Sequence, residues 1–174
     1  MVGGACGNSV LAGSAALTHP VSRRRYLLVI LATAALVIGV DHLTKWIVVQ
    51  NLQLHGVIWP GALVSIDHVE NSGAAFGLFP QFQWLYLIVA AVVVIYILFV
   101  GQRYGNTAYR QVLLGMILGG AVSNGIDRAV QGRVVDFIDL HWWPVFNVAD
   151  MCIVIGIALA VLTLGARATS RSTA

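Results

Sequence analysis

The sequence predicts an all-α membrane protein: a bundle of four transmembrane helices running up-down-up-down. Three observations predict it. Of 174 residues, 59% are hydrophobic and only 10% charged, whereas a soluble domain carries about 25% charge. Four runs are apolar and almost uncharged, and as helices they match a hydrocarbon core roughly 30 Å thick. The basic residues also divide unevenly about those runs, as they do where Lys and Arg stay cytoplasmic. The same composition excludes other classes. Disorder calls for more charge, and the two cysteines, Cys6 and Cys152, form no disulfide framework. The ten basic residues lie in small groups with no stripe interleaved with aromatics, which argues against nucleic acid as a partner.

The first span begins at Tyr26, runs uncharged to Val40 and continues through Asp41 and Lys45 to about Val49. The second, Trp84 to Gly101, carries no charge, and the third runs from about Tyr109 to its close at Asp127 and Arg128. The fourth opens near Val145, carries Asp150 early and stays apolar to Ala166. Arg23, Arg24, Arg25, Arg103, Arg110, Arg167 and Arg171 all fall on one side of this alternation, so both termini are expected in the cytoplasm. Lys45, Arg128 and Arg133 fall on the other side, each within a few residues of a carboxylate. Residues 1–22 lack a positively charged start before an apolar run, so they read as a disordered cytoplasmic extension rather than a cleaved signal. Residues 168–174 read as a cytoplasmic tail.

With that topology the unusual polar residues converge on the outer side. Asp41 and Lys45 close span one, Asn71 precedes span two, Asn124, Asp127 and Arg128 close span three, and Asn147 and Asp150 open span four. Ionisable groups at membrane depth cost a few kcal/mol or more, so they face a bundle interior or a wet cavity and pair with each other. Most have a plain structural use. Asp41 and Lys45, four apart on one helix face, make an ion pair, and Asp127 beside Arg128 reads as a positioning pair. The three asparagines suit helix caps, interhelical hydrogen bonds or, equally, contact with a substrate, and Gly115 with Gly119 suits close helix packing. The five histidines show no metal-ligand spacing and no HExxH is present, so neither metal nor cofactor is expected.

Two carboxylates resist that account. Asp150 lies inside span four with Asn147 one turn away, and Asp136 lies in the extended stretch Val134-Val-Asp-Phe-Ile138, after a hinge at Gly132. Arg133 is the nearby cation in sequence. If the segment after span three folds back on span four, the two aspartates meet. Close carboxylates in a poorly hydrated site cannot both ionise easily, so one keeps a proton while the other remains a base. Such a pair can activate water against an amide: the base takes the water's proton, and the acid protonates the carbonyl oxygen.

Five blocks then resemble one family: Asp41-His-Leu-Thr-Lys45, Asn71-Ser-Gly-Ala-Ala-Phe-Gly77, Gly119-Gly-Ala-Val-Ser-Asn-Gly-Ile-Asp-Arg128, Val134-Val-Asp-Phe-Ile138 and Phe146-Asn-Val-Ala-Asp150. In this order over residues 26 to about 166, the chain is similar to the lipoprotein signal peptidases (type II signal peptidases), which are intramembrane aspartic proteases of the bacterial cytoplasmic membrane. The resemblance implies that Asp136 and Asp150 are the catalytic pair. It implies that Asp41, Lys45, Asn71, Gly73, Asn124, Asp127, Arg128 and Asn147 hold substrate or frame the site. It further implies a prolipoprotein substrate whose cysteine already carries diacylglycerol, cut just before that cysteine by a monomeric enzyme. The stretch from about Asn51 to Glu70 corresponds to the family's small extracytoplasmic β-structure between helices one and two. Ser123 departs from the pattern, since the family usually has Gly before the Asn.

Other classes of function remain open at this point. A proton-linked carrier would use the same aspartates as relay groups, but it favours carboxylates at several depths and inverted repeats. A non-catalytic lipid-binding or assembly factor would tolerate amidation of either aspartate.

Overall fold

The computed structural model describes residues 21–61, 63–73 and 82–172, with side chains described as far as Thr163. Among the described residues are four α-helices, α1 (Arg23–Asn51), α2 (Gln83–Phe99), α3 (Ala108–Gln131) and α4 (Val148–Ser172). Three short strands accompany them: β1 (Val57–Ile58), β2 (Ser65–Asn71) and β3 (Val134–Asp139). The expected N-terminal extension lies almost wholly outside the described residues, as does Cys6.

Local chemistry sets the helix limits. Ser22 and Thr107 cap α1 and α3, their hydroxyls accepting from the amides of Arg25 and Arg110. Gly132 ends α3 in the left-handed region at φ 71°, which glycine adopts without strain. The fourth helix starts at Val148, later than expected. Phe146 pairs with Ile138 as an isolated bridge, and Asn147 caps the helix.

α3 is the central helix and packs against the other three. Its glycines make this possible. A Cβ at Gly119 would stand 2.8 Å from the Ala34 carbonyl of α1, and one at Gly120 would collide with the Ala149 carbonyl of α4. The close-packing use expected of Gly115 and Gly119 therefore holds: Gly115 meets Ile30 and Thr33 on α1. The core at one end gathers Tyr26, Ile30, Ala34, Ile97 and Leu118, and the Tyr26 hydroxyl donates to the Ile97 carbonyl at 2.5 Å. At the other end Val48 of α1 and Leu52, which caps it, pack against Phe137 of β3.

The sheet corrects one expectation. The β-structure is not confined to the segment between the first two helices, because β3, which follows α3, pairs antiparallel with β2 in the order β1-β2-β3. A register shift between Ile66 and Val69 brings Val69 opposite Asp136 and Asn71 opposite Val134. The sheet thereby ties the β2 end to the strand carrying Asp136.

The outward faces of the helices are apolar. Leu36 on α1 is 68% exposed, Phe99 on α2 71% and Leu162 on α4 67%. All five tryptophans, at positions 46, 59, 84, 142 and 143, are exposed as well. By length and apolarity one described helix, α1, is sufficient to cross a membrane, with 29 residues and an 18-residue stretch of mean hydropathy 2.1, while α2 and the Val148–Thr163 part of α4 are shorter apolar helices.

Candidate active site

The site grows from α1. Asp41 and Lys45 share a helix face, and the lysine Nζ sits 2.6 Å from Asp41 Oδ2 and 2.6 Å from Asp127 Oδ2 on α3. Both partners are buried, with Asp41 fully excluded from solvent. Asp41 is further held by the Ser123 hydroxyl, which donates to Oδ2 at 2.7 Å, and by the Ala149 amide of α4, which donates to Oδ1 at 2.9 Å. One carboxylate thus links three helices. A buried charge with this many partners avoids the penalty of an unpaired one.

Asn124 carries the network onward. Its Oδ1 accepts from Lys45 Nζ at 3.1 Å and from Asn147 Nδ2 at 3.2 Å, and its Nδ2 donates to Asp150 Oδ1 at 2.7 Å. Lysine can only donate, so the orientation of this amide is determined. Asn147 and Asp150 cap each other at the start of α4: the Asp150 amide donates to Asn147 Oδ1 at 2.9 Å, and the Asn147 amide to Asp150 Oδ2 at 3.3 Å. The same Asn147 donates through Nδ2 to Asp136 Oδ1 at 2.7 Å. Asn71, the last residue of β2, donates to the other Asp136 oxygen at 2.9 Å.

Asp136 and Asp150 line a common cavity of about 230 Å³, together with Asn71, Asn124 and Arg128. Asp136 itself is 3% exposed. Burial, and next the Asp150 carboxylate beside it, push the Asp136 carboxyl up to about 7, against the pull of the Asn71 and Asn147 amides and Lys45. Arg128 donates through Nη2 to the Gly73 carbonyl at 2.9 Å, and its guanidinium lies 4.7 Å from the Tyr86 ring centroid. Its Nη1 is buried without a partner among the described residues. The Gly73 amide in turn donates to Asn71 Oδ1 at 2.9 Å, so the turn after β2 joins the arginine to the asparagine. An apolar hollow of about 300 Å³ adjoins the pair, walled by Trp142, Trp143, Phe146, Met151 and Val154 and reaching Asp150.

All ten residues singled out in the sequence meet at this end of the bundle, though some pairings differ from expectation. Asp127 pairs with Lys45 rather than forming a unit with Arg128, because adjacent helical residues point about 100° apart. Arg133 pairs with Glu70 at 3.0 Å and leaves Asp136 without a contacting cation. Of the asparagines, Asn147 is a cap and Asn124 an interhelical link. The roles of three contributors escaped the sequence reading, which noted Ser123 only as a departure from pattern. Ser123 lies four residues after Gly119 on the face toward α1, a spacing that could have revealed its contact with Asp41. Tyr86 under Arg128 and His42, 3.6 Å from Asp127, carry no such signal. The block after Gly73, residues 74–77, lies outside the described residues.

Comparison with known proteins gives the same direction. Two bacterial membrane enzymes solved by the in meso method superpose with TM-scores of 0.72 and 0.68 at 26% and 27% identity. They cover 84% and 81% of this chain and 91% and 92% of their own. A lipoprotein signal peptidase of Symbiobacterium thermophilum is 42% identical over 79% of this chain and 93% of its own length. One from Rhodococcus jostii is 42% identical over 84% and 77%. The family model described as signal peptidase (SPase) II matches residues 33–165, which include every residue of the network above, and the chain therefore belongs to the signal peptidase II family of proteases.

Proposed function

We infer that the protein is an aspartic endopeptidase that removes the signal peptide from diacylglyceryl-modified prolipoproteins, cutting just before the lipidated cysteine. The observation that carries this is the single cavity lined by Asp136 and Asp150 and bridged by the Asn147 amide. One carboxylate holds the proton and the other draws a proton from water, which attacks the scissile carbonyl. The unpartnered Nη1 of Arg128 is available to the carbonyl oxygen as negative charge develops on it. The acid's proton passes to the carbonyl oxygen and the proton taken from water to the departing amine, and collapse of the tetrahedral hydrate returns one proton to the carboxyl pair. Asn71, Asn124 and Asn147 orient the two carboxyls, while Asp41, Lys45 and Asp127 fix the helices that carry them. The hollow beside Asp150 and Trp143 suits acyl chains entering from the side.

In this reading α1 to α4 cross the bacterial cytoplasmic membrane up-down-up-down, with residues 23–167 as the peptidase domain and both termini cytoplasmic. The active site lies near the outer face, and the enzyme works as a monomer. Two features support that placement. The exposed helix faces are apolar, as lipid contact requires. All five tryptophans lie on the half that bears the sheet, as an interfacial aromatic belt would.

The test uses purified protein in detergent with a prolipoprotein peptide, with and without its diacylglyceryl group. Release of the signal fragment from the lipidated form alone is expected. Equal cleavage of both forms, or none of either, overturns the substrate assignment.

A further inference from the structure

A second hollow, of about 340 Å³, lies at the opposite end of the bundle, between α2, α3 and α4. Its walls are almost wholly apolar, built from Tyr96, Tyr104, Leu113 and Ala160, and completed by Arg110 and Thr163. Arg110 is the cation of this wall. Its guanidinium donates at 3.3 Å to the Thr163 carbonyl and at 3.4 Å to Asn106 Oδ1, both neutral acceptors at long range. Among the described residues no side-chain carboxylate lies at this end. All seven acidic residues of the chain, at positions 41, 67, 70, 127, 136, 139 and 150, belong to the half that bears the sheet and the aspartate cavity. At this end stand Arg23, Arg24, Arg25, Arg103 and Arg110.

Depth adds a constraint. Residues 110 and 128 are separated along α3 by about 27 Å at 1.5 Å per residue, close to the roughly 30 Å of a hydrocarbon core. With Arg128 at the outer interface, Arg110 stands at the level of the inner headgroups. A cation with no counter-charge among the described residues, beside an apolar hollow, is complementary to an amphiphile with an anionic head. Basic pockets between helices on the cytoplasmic side hold such headgroups. A signal peptide fits poorly, because its positively charged start would arrive at this same end and meet Arg110 and its neighbours.

We propose that the hollow lined by Tyr96, Leu113 and Ala160 holds an acyl chain of an anionic glycerophospholipid of the cytoplasmic leaflet, with the lipid phosphate on Arg110. The proposal rests on the four-span placement above and not on the aspartate pair. Binding at this site ties α2 and α4 to α3 at the end remote from the catalytic residues.

The test titrates the full-length protein in detergent with phosphatidylglycerol or phosphatidylcholine of identical chains, and counts bound lipid by native mass spectrometry. One phosphatidylglycerol is expected to be retained at a concentration about tenfold below that for phosphatidylcholine. Arg110→Gln removes the difference, Arg110→Lys keeps it, and Ala160→Trp, which fills the hollow, abolishes retention of both. Equal retention of the two lipids, retention unchanged in Arg110→Gln, or one-for-one displacement by a prolipoprotein signal peptide overturns the proposal. Asp150→Asn retains the lipid, so failure of the lipid site and failure of the protease reading appear in separate measurements.

Discussion

Asp41 and Asp136 are both buried carboxylates of one hydrogen-bonded network, 0% and 3% exposed, yet their surroundings differ in kind. Asp41 touches the Lys45 ammonium, a hydroxyl and a backbone amide. Among the described residues the Asp136 carboxyl accepts from the neutral amides of Asn71 and Asn147, and its largest charged neighbour is another acid, Asp150, ahead of Lys45. Equal burial therefore does not give equal chemistry. The α1–α3 side places a cation in contact with its carboxylates, whereas the β3–α4 side surrounds Asp136 with amides and a second acid, and burial with that acid pushes its carboxyl up to about 7. Asn124 joins the two sides by accepting from Lys45 and donating to Asp150.

The strongest way to break this contrast is to remove charge on each side. On the proposed mechanism, Asp136→Asn and Asp150→Asn each lower cleavage on the order of 10⁴-fold, while helix content by circular dichroism and elution volume stay those of the parent. Full activity in either variant would end the dyad reading. Lys45→Met should show the reverse pattern. It leaves Asp41 and Asp127 buried without their cation, and the loss in thermal or denaturant stability is about 3–5 kcal/mol. A loss below about 1 kcal/mol would show that the α1–α3 side does not depend on its charges.

Asn147→Ala sharpens the comparison at the junction. It deletes a cap, about 1 kcal/mol of stability, and a buried donor to a carboxyl, so cleavage falls roughly tenfold to 10²-fold. An effect on stability alone would confine Asn147 to capping. pH supplies a further test. The Asp136 carboxyl titrates at about 7 when folded against 3.8 in its ordinary state, so between those values the folded protein binds more protons than the unfolded one. Its contribution therefore favours the fold at low pH and is lost as pH rises from about 4 to about 7. Unfolding of the parent and of Asp136→Asn across that range should differ in slope, with the variant flatter, and parent cleavage should decline above pH 7. Ser123→Ala is the mildest change. It removes one hydrogen bond to Asp41, worth about 1 kcal/mol, and leaves the cleavage rate within a few-fold of the parent.

The helices were legible because long apolar runs admit few other solutions, and the polar ends were legible because charge in such a run demands a partner. Asp136 was readable for the same reason, as an acid between Val135 and Phe137. The pairings were harder. Lys45 choosing Asp127 depends on the rotation of α3 against α1, which Gly115 and Gly119 set through close approach and which no linear spacing contains. The extended stretch at Val134–Ile138 was legible, but its pairing was hidden likewise, since β3 joins β2 across more than sixty residues of intervening chain. Ser123 marked itself only as a departure from pattern, and its hydroxyl acquires meaning once Asp41 is seen to face it.

The double duty of Asn147 has one more consequence. The side chain that stops the first turn of α4 from fraying is the side chain that steadies Asp136, so opening that turn and dismantling the proposed catalytic arrangement are one event. Deuterium uptake at the amides of Ala149 and Asp150 should then rise and fall with catalytic competence, although the bulk of the helix stays shut.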